Sequence, residues 1–554
     1  MTRLLPKWEF YAACWLLLLT AAAVARAQNT PTFPRENSGS AQGFKIAGTV
    51  VNTITGAPLG RVHVSIANTR ARAERIEMVT DESGHFEFMG VPAGKYSLQG
   101  ARRGYVTSTF DQHEQYSTAV VTGPDLSTDK LVFRLMPLAL ITGHVLDESG
   151  EGVRDAQLHL FKEDHSGGMS RIVGVGHSSA DDRGYFDFPL MPPGTYFVSA
   201  SGSPWYAVHP LAGLSGDPAR ISPELDVAYP TTYYGGATDS DGATPIELKG
   251  GQTQEVEIRL APVPALHFTL RVPVEEGEPN GFRQPVLLKH VFDSAEFPRT
   301  VQTQFVSPGL IEVSGLAPGR YDVSIRSSNP ADAQQFSEID LEHDGQDLNA
   351  ADSETMTRLT VTLRAGSLPK QYGVGLRDSR QKMIAFAPAD SNGPLVFPAV
   401  KPGKYAIVVP AQGKFYAVKR IIFPGGETQG HDLIVSGAAM EVTAELTEGV
   451  VAVEGVVLKA GRPTPGIMVA LVPNDPEAHV DLFRRDQSDF DGTFALRGVI
   501  PGTYTVVAVE DAWGFDWLKA GVLERYVQRG QTVVVGEKIK GAIHLPDSLQ
   551  VQPK

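Results

Sequence analysis

The chain of 554 residues contains a single cysteine, Cys14. No disulfide can form within one chain, and thiol chemistry is excluded beyond position 14. Folding units of about 100 residues bury enough apolar surface to do without such cross-links. We therefore expect ordinary apolar cores rather than a disulfide-rich scaffold.

Catalytic sequence motifs are missing as well. The sequence has no His-Glu-x-x-His, no Gly-x-Ser-x-Gly, no phosphate-binding loop and no dinucleotide fingerprint. The Asp/Gly segments that begin at Asp239 and Asp489 lack the late glutamate of a calcium loop, and turn formation accounts for them better. We expect no catalytic residue, no bound metal and no cofactor.

Positive charge and long apolar runs are both scarce. The 49 Lys and Arg residues against 63 Asp and Glu residues give a net charge of -14, which disfavours binding to nucleic acid and to anionic lipid. One stretch, from Phe10 to Val24, is apolar over fifteen residues. A membrane-spanning helix needs about 20 such residues, so no membrane span is expected in the mature chain.

That apolar stretch has the surroundings of a secretory signal. Arg3 and Lys7 precede it, and the small-residue cleavage pattern Ala-Arg-Ala ends it at Ala27. The sequence therefore predicts a cleaved signal peptide and a mature chain that begins at Gln28. We expect an exported protein, located in the periplasm, at the outer membrane or outside the cell.

What the chain has in abundance is a repeated spacing, in which a glycine is followed by a tyrosine twelve residues later. A Pro-Gly or Pro-x-Gly turn stands just before each tyrosine, and such strict spacing indicates repeated supersecondary units. The five pairs are Gly84/Tyr96, Gly184/Tyr196, Gly309/Tyr321, Gly393/Tyr405 and Gly492/Tyr504.

Each repeat is predicted to centre on a β-hairpin. Asp81 to Gly84 has turn-forming residues, and the alternation of Phe86 and Phe88 after it is typical of a half-buried strand. A second alternating run begins at Tyr96. With flanking strands added, each unit has about seven short strands, which predicts an all-β sandwich. The predicted fold is therefore a tandem array of about five seven-stranded β-sandwich domains after a cleaved signal peptide.

These motifs resemble the carboxypeptidase regulatory-like domain, a transthyretin-like sandwich often grouped with carbohydrate-binding-like folds. The resemblance consists of a Gly-x-Val opening, an Asp-x-x-Gly-x-Phe turn, a Pro-Gly-x-Tyr turn and an aromatic residue nine positions after the tyrosine: Tyr105, Trp205 and Trp513. The third and fourth units keep the glycine and tyrosine but lose the Asp-x-x-Gly-x-Phe form. An enzyme of this family would need a zinc carboxypeptidase domain, and none of the fourteen histidines has a Glu three residues later.

The resulting domain map accounts for the whole chain. It places a signal peptide at 1–27, a disordered linker at 28–43, sandwiches at 44–137, 138–262, 263–365, 366–447 and 448–546, and a tail at 547–554. The third and fourth sandwiches are the degenerate ones, and the second carries a long aromatic loop.

Two groups of aromatic residues are the candidate ligand-binding sites. Loop aromatics stack on sugar faces or dock peptides, and loops without their own structure are often functional. Packing within the sandwich is the competing explanation, above all for the two residues at the position nine after the tyrosine. The candidates are Trp205, Tyr206, Tyr229, Tyr233, Tyr234, Trp513, Phe515 and Trp517.

Three functions remain open from sequence. The first is a non-enzymatic modular protein with a structural, adhesive or binding role at the cell envelope. The second is an array of carbohydrate-binding modules, and the third is an accessory subunit of an envelope enzyme or outer-membrane transport complex. The expected partner is a polysaccharide or an envelope protein.

Overall fold

The computed structural model describes residues 43–71, 74–209, 222–272, 285–292, 295–298, 301–325, 334–389, 393–476 and 479–554. The predicted signal peptide and all but the last residue of the predicted linker lie outside these ranges. Residues Gly43–Lys554 form one compact unit. Its described residues form short strands and one α-helix, α1 (Glu524–Val527). The sheets pair off as tandem β-sandwiches, which confirms the predicted all-β fold class. The described strands number eight to ten in each unit, more than the predicted seven.

The first sandwich contains eight strands in two sheets, ordered β4-β1-β8 and β3-β2-β5-β6, with β7 pairing to β5. Its strands are β1 (Phe44–Asn52), β2 (His63–Asn68), β3 (Arg75–Val79), β4 (His85–Val91), β5 (Gly94–Ala101), β6 (Ser108–Thr109), β7 (Val120–Thr122) and β8 (Leu131–Leu135).

The second sandwich has the sheets β12-β9-β17 and β11-β10-β13-β15, with β16 pairing to β13. A small ribbon, β14-β18, leads out of it toward the third sandwich. The strands are β9 (Ala139–Leu146), β10 (Gln157–Asp164), β11 (Arg171–Ser179), β12 (Tyr185–Met191), β13 (Gly194–Ser201), β14 (Val227–Ala228), β15 (Thr232–Tyr233), β16 (Ile246–Leu248), β17 (Thr253–Arg259) and β18 (Val263–Pro264).

The third sandwich pairs a sheet ordered β22-β23-β19-β26 with one ordered β21-β20-β24-β25-β27. Its strands are β19 (Leu266–Arg271), β20 (Pro285–Val291), β21 (Ala295–Pro298), β22 (Gln302–Ser307), β23 (Leu310–Leu316), β24 (Gly319–Ile325), β25 (Gln334–Leu341), β26 (Gln346–Asn349) and β27 (Glu354–Thr355).

The fourth sandwich has the sheets β31-β28-β36-β33-β34 and β30-β29-β32-β35. Its strands are β28 (Thr357–Arg364), β29 (Gly373–Arg377), β30 (Met383–Pro388), β31 (Leu395–Val400), β32 (Gly403–Val408), β33 (Phe415–Phe423), β34 (Gly426–Gln429), β35 (Asp432–Val435) and β36 (Ala439–Gly449).

The fifth sandwich has the sheet β40-β39-β42-β43 and a second sheet centred on β37, which pairs with β38, β41, β44 and β45. Its strands are β37 (Val451–Lys459), β38 (Arg462–Pro463), β39 (Met468–Pro473), β40 (Arg484–Gln487), β41 (Thr493–Val499), β42 (Gly502–Val509), β43 (Gln531–Val535), β44 (Gly541–His544) and β45 (Leu549–Gln550).

Two of the predicted boundaries fall inside a sandwich. Strand β28 lies before the predicted boundary at 366, yet it pairs with β31 and β36, so it opens the fourth sandwich rather than closing the third. Strand β45 lies in the predicted tail and pairs in parallel with β37. The strand pairing corrects both points, and the other boundaries stay predictions.

All five units share one strand arrangement. In each, the opening strand lies between an antiparallel neighbour, which follows the repeated glycine, and a parallel closing strand. Each unit also has its own cluster of buried apolar side chains between its two sheets. The third and fourth units are therefore β-sandwiches despite their degenerate motifs.

The repeated tyrosine has the same role in every unit. Its ring is buried in the sandwich core. Its hydroxyl donates a hydrogen bond to the carbonyl oxygen four residues earlier, so the one polar atom of the side chain has a partner despite its burial. The donors and acceptors are Tyr96 to Pro92 at 3.1 Å, Tyr196 to Pro192 at 2.8 Å, Tyr321 to Ala317 at 2.7 Å, Tyr405 to Lys401 at 2.8 Å and Tyr504 to Ile500 at 2.8 Å.

A matched pair of residues accounts for the lost phenylalanine of the third unit. In the fifth unit Phe494 lies opposite Gly455, where an added Cβ would come within 2.8 Å of the phenylalanine ring. In the third unit the equivalent pair is Ile311 opposite Leu270, and both are buried. The smaller residue replaces the phenylalanine where the larger one replaces the glycine, so the volume between the sheets is kept.

Candidate functional site

The loop after β13 presents the first aromatic group, and its members differ sharply in exposure. Trp205 is 86% exposed, the highest value among the exposed large apolar side chains of the described residues. The ring of Tyr206 meets it edge-on, with centroids 5.7 Å apart and an interplanar angle of 85°. A free indole face beside a second aromatic ring is therefore open to solvent at this end of the second sandwich.

Glu148, in the turn after β9, holds this loop in place. Its two carboxylate oxygens accept from the hydroxyls of Tyr206 at 2.6 Å and Tyr229 at 2.8 Å. The bond to this carboxylate raises the pKa of Tyr206 to about 12. Burial acts to raise the pKa of Glu148, but the hydrogen bonds it accepts outweigh burial and lower that pKa. The carboxylate therefore stays ionised and keeps both hydroxyls oriented.

The other three tyrosines of this group face inward. Tyr229 and Tyr233 are buried, and Tyr234 packs against the core of the second sandwich. The ring of Tyr233 contacts Phe292 of the third sandwich, with centroids 5.6 Å apart. Phe161 of β10 meets the same phenylalanine at 4.9 Å. These tyrosines stabilise the second sandwich and its contact with the third.

The second aromatic group, after β42, lies in a contact between sandwiches. Trp513 stacks on His113 of the first sandwich, with centroids 5.0 Å apart and planes 6° from parallel. Trp517 packs beside Phe483 at 5.4 Å, and Phe515 lies near Tyr526 at 6.1 Å. All three candidates are partly buried against one apolar cluster of the fifth sandwich.

Arg485 of β40 is the centre of this contact, and no motif or spacing in the sequence predicts its role. Its side chain is 3% exposed, and it donates two hydrogen bonds to Glu114 of the first sandwich, at 3.2 and 2.6 Å. A third bond reaches the carbonyl oxygen of Ser166 in the second sandwich at 3.1 Å. The guanidinium carbon lies 4.5 Å from the Trp517 ring centroid. One buried cation thus connects three sandwiches.

The repeated Asp-x-x-Gly turn takes part in the same contact. In the first unit the Asp81 carboxylate accepts from two amides of its own turn, both at 2.9 Å. In the fifth unit Asp489 instead accepts from the Ala119 amide at 2.9 Å and pairs with Lys95, both in the first sandwich. Asp491 accepts from the Thr493 amide at 3.1 Å in its place. The turn motif was recognised from sequence, but this use of it was not.

A cleft of about 480 Å³ lies where the second and third sandwiches meet, next to the Trp205 loop. Its polar side chains include Arg154, Gln157 and Thr231, and its apolar wall includes Leu316 and Ala317. The Thr231 side chain is 5% exposed, and its hydroxyl oxygen is buried without a hydrogen-bond partner. The cleft is a concave polar surface of the size that small ligands occupy, about 300–1,000 Å³.

Among the residues that the structure describes, no three His, Cys, Asp or Glu side chains lie close enough together to hold a metal ion. Within the same ranges no helix is long and apolar enough to cross a membrane.

The similarity to solved structures is broad and weak. The Bacillus anthracis TIE protein is 13% identical, with 74% of this chain and 76% of that chain covered and a TM-score of 0.18. GBS52, the minor pilin of Streptococcus agalactiae, is 12% identical, with 40% and 96% covered and a TM-score of 0.21. The shaft pilin SpaA from Lactobacillus rhamnosus GG is 13% identical, with 40% and 97% covered and a TM-score of 0.19. At these values the likeness supports no inference about function.

A family model gives the specific match. No curated protein matches the sequence. Residues 45–125 match the carboxypeptidase regulatory-like domain, a range that runs from β1 through β7 of the first sandwich. The match covers the Gly-x-Val opening, the Asp81 turn and the buried Tyr96 described above. The first sandwich of this chain is therefore similar to a carboxypeptidase regulatory-like domain.

Proposed function

We propose that this chain is an exported, non-enzymatic modular protein with a structural or binding role at the cell envelope. The signal pattern that ends at Ala27 supports export. The sandwiches occupy the described part of the chain, and each uses its interior for packing. Binding therefore takes place on loops and on clefts between sandwiches, where scaffold-borne recognition concentrates.

The observation that carries this proposal is the contact between the first and fifth sandwiches. Arg485 and Glu114 are separated by about 370 residues of sequence, yet they form a buried bidentate pair. Trp513 and His113 stack in the same contact. These contacts hold the first and fifth sandwiches in one relative position. The protein therefore presents a single preassembled surface to its partners rather than separate modules on free linkers.

The partner is a polysaccharide or another envelope protein. Two alternatives to this role remain. The chain is an accessory subunit of an envelope enzyme or outer-membrane transport complex, or it is an array of carbohydrate-binding modules. Only one Trp of the two aromatic groups, Trp205, is open to solvent, so an array of equivalent sugar sites has less support than a single site.

Export and partner binding are tested by recovery of the tagged native chain from fractionated cells. We expect an N-terminus at Gln28, an envelope or extracellular location, and a glycan or envelope protein retained after chemical cross-linking. Stoichiometric recovery with one outer-membrane complex would select the accessory-subunit version. A cytoplasmic protein with Met1 intact contradicts export, and a hydrolytic activity of the purified chain contradicts the non-enzymatic assignment.

A further inference from the structure

We infer that the cleft between the second and third sandwiches, with Trp205 beside it, binds a neutral saccharide. The inference adds a ligand to the proposed function and can fail without it, because export and packing of the sandwiches are measured separately. It rests on an open stacking surface, an unsatisfied buried hydroxyl and a floor of mixed hydrogen-bonding groups.

The floor of the cleft is the outer face of the sheet that contains β10 and β13. Along β10, Leu158 and Leu160 point into the sandwich core, so the alternation of a strand turns Gln157 to the other face. Ser201 at the end of β13 lies beside it, because Gln157 pairs with Ser201 in the sheet. Both residues line the cleft. The Gln157 amide nitrogen already donates to the Asp155 carbonyl oxygen at 2.9 Å and to the Ser179 hydroxyl at 3.2 Å, so its amide oxygen and the Ser201 hydroxyl are the groups offered to a sugar.

Thr231 supplies the observation that points to a ligand. Its hydroxyl oxygen is buried at the cleft, and no group among the described residues forms a hydrogen bond with it. Buried polar groups without partners are rare because each costs about 1–3 kcal/mol. A hydroxyl both donates and accepts, which is the capacity that a sugar hydroxyl matches.

Trp205 supplies the apolar half of the recognition. It follows Gly202, Ser203 and Pro204 in the chain, and all three of these line the cleft. Tyr206 is held by its hydrogen bond to Glu148, and its ring contacts the indole edge-on. A pyranose ring has an apolar C–H face and a polar hydroxyl edge, so one face stacks on the indole while the hydroxyls enter the cleft. An aromatic platform held in this way loses little conformational entropy on binding.

The charges around the cleft favour a neutral ligand over a polyanion. The guanidinium of Arg154 is paired with the neighbouring Asp155 carboxylate at 3.1 Å, so its charge is compensated. The whole chain has a net charge of -14, which repels acidic polymers at long range. The polar floor likewise disfavours an apolar peptide or a lipid chain.

The test measures binding of cellohexaose, maltohexaose and hexa-N-acetylchitohexaose to the full exported chain by calorimetry, with an oligogalacturonate hexamer as an acidic probe. We expect at least one neutral probe to bind. Trp205→Ala should weaken that binding about tenfold or more, as for an aromatic hot spot, and Trp205→Tyr should restore most of it. Thr231→Val, which keeps the shape but removes the hydroxyl, should weaken it about threefold to tenfold.

A matched control is Ile434→Ala, which removes an apolar side chain that is 70% exposed on the fourth sandwich. We expect its affinity to equal that of the unmodified chain, and the unfolding midpoint of Trp205→Ala to be unchanged. The inference is overturned if no neutral probe binds, if binding survives both Trp205→Ala and Thr231→Val, or if only the acidic probe binds.

Discussion

Trp205 and Trp513 occupy the same position of the repeat, nine residues after the buried tyrosines Tyr196 and Tyr504. In the second sandwich this position is open to solvent, whereas in the fifth it stacks on His113 of the first sandwich. The first sandwich shows a third outcome, in which Tyr105 accepts a hydrogen bond from Asn52 of its own unit. The fold fixes where the aromatic residue emerges, and its surroundings decide whether it is covered: its own unit for Tyr105 and a neighbouring sandwich for Trp513.

The same contrast applies to the turn aspartates. Asp81 caps its own turn, and Asp489, at the equivalent position, binds the first sandwich. A repeat position that is structural in one copy is thus an interface residue in another. Assigning function to one copy by analogy with another is unsafe for this reason.

Arg485→Ala should lower the free energy of unfolding more than any other substitution proposed here. Arg485→Ala leaves the Glu114 carboxylate buried without its partner, and breaking such a pair costs about 3–5 kcal/mol. Denaturant unfolding measures the loss. The matched control is Arg259→Ala, whose partner Glu257 is as exposed as the arginine itself, and about 0–1 kcal/mol is expected there. Equal losses in the two variants would show that the contact between the first and fifth sandwiches is not formed in solution.

Substituting the two tryptophans should change the free energy of unfolding by different amounts, and both changes should be smaller than that of Arg485→Ala. Trp513→Ala removes a partly buried ring and its stacking on His113, and we expect a loss of about 2 kcal/mol, below the 3–5 kcal/mol of a fully buried aromatic. Trp205→Ala touches a solvent-facing ring and should stay within about 0.5 kcal/mol. Thermal unfolding of both variants measures the difference, and the reverse order would contradict the contrast.

Asp486, next to Arg485 on β40, should give an effect no larger than that of Trp513→Ala, with a pH dependence of opposite sign to most carboxylates. Burial raises its pKa to about 6, and one carboxylate oxygen accepts from the Ala495 amide at 2.7 Å. The folded state therefore holds the proton more tightly than the unfolded state, and stability falls as pH rises from about 4 to 6. Above pH 6 the ionised form carries the full penalty.

Asp486→Asn removes that penalty while its amide oxygen keeps the bond to Ala495. We expect a gain of about 1–2 kcal/mol at pH 7 that disappears near pH 4. Unfolding free energies of the two proteins at pH 4, 5, 6 and 7 provide the check. A gain that is constant over this range would mean that ionisation of Asp486 does not cause it.

The sequence predicts the repeated unit well because its signals are local. The spacing of glycine and tyrosine located all five buried tyrosines, including Tyr321 and Tyr405 in the degenerate units. The loss of the phenylalanine in the third unit obscured its match, although Leu270 opposite Ile311 keeps the packing. Reading the two positions as a pair across the strands would have recovered that match.

The contacts between sandwiches were not predictable in the same way. Glu114 and Arg485 are far apart in sequence and follow no spacing, and Asp489 looks identical to the aspartates that cap their own turns. Both aromatic groups follow a tyrosine strand in the chain, but Tyr233 lies in β15 rather than in a loop, and local sequence does not set which rings stay exposed. Only Trp205, of the two tryptophans at this position, is left open.

Collisional quenching of tryptophan fluorescence by acrylamide tests this contrast most directly. The sequence has five tryptophans, and a chain that begins at Gln28 retains Trp205, Trp513 and Trp517. We predict a strongly quenched component that Trp205→Phe removes, leaving emission that is quenched several-fold less than after unfolding in guanidinium. Quenching that is unchanged by Trp205→Phe, or remaining tryptophans as accessible as in the unfolded chain, would contradict the account.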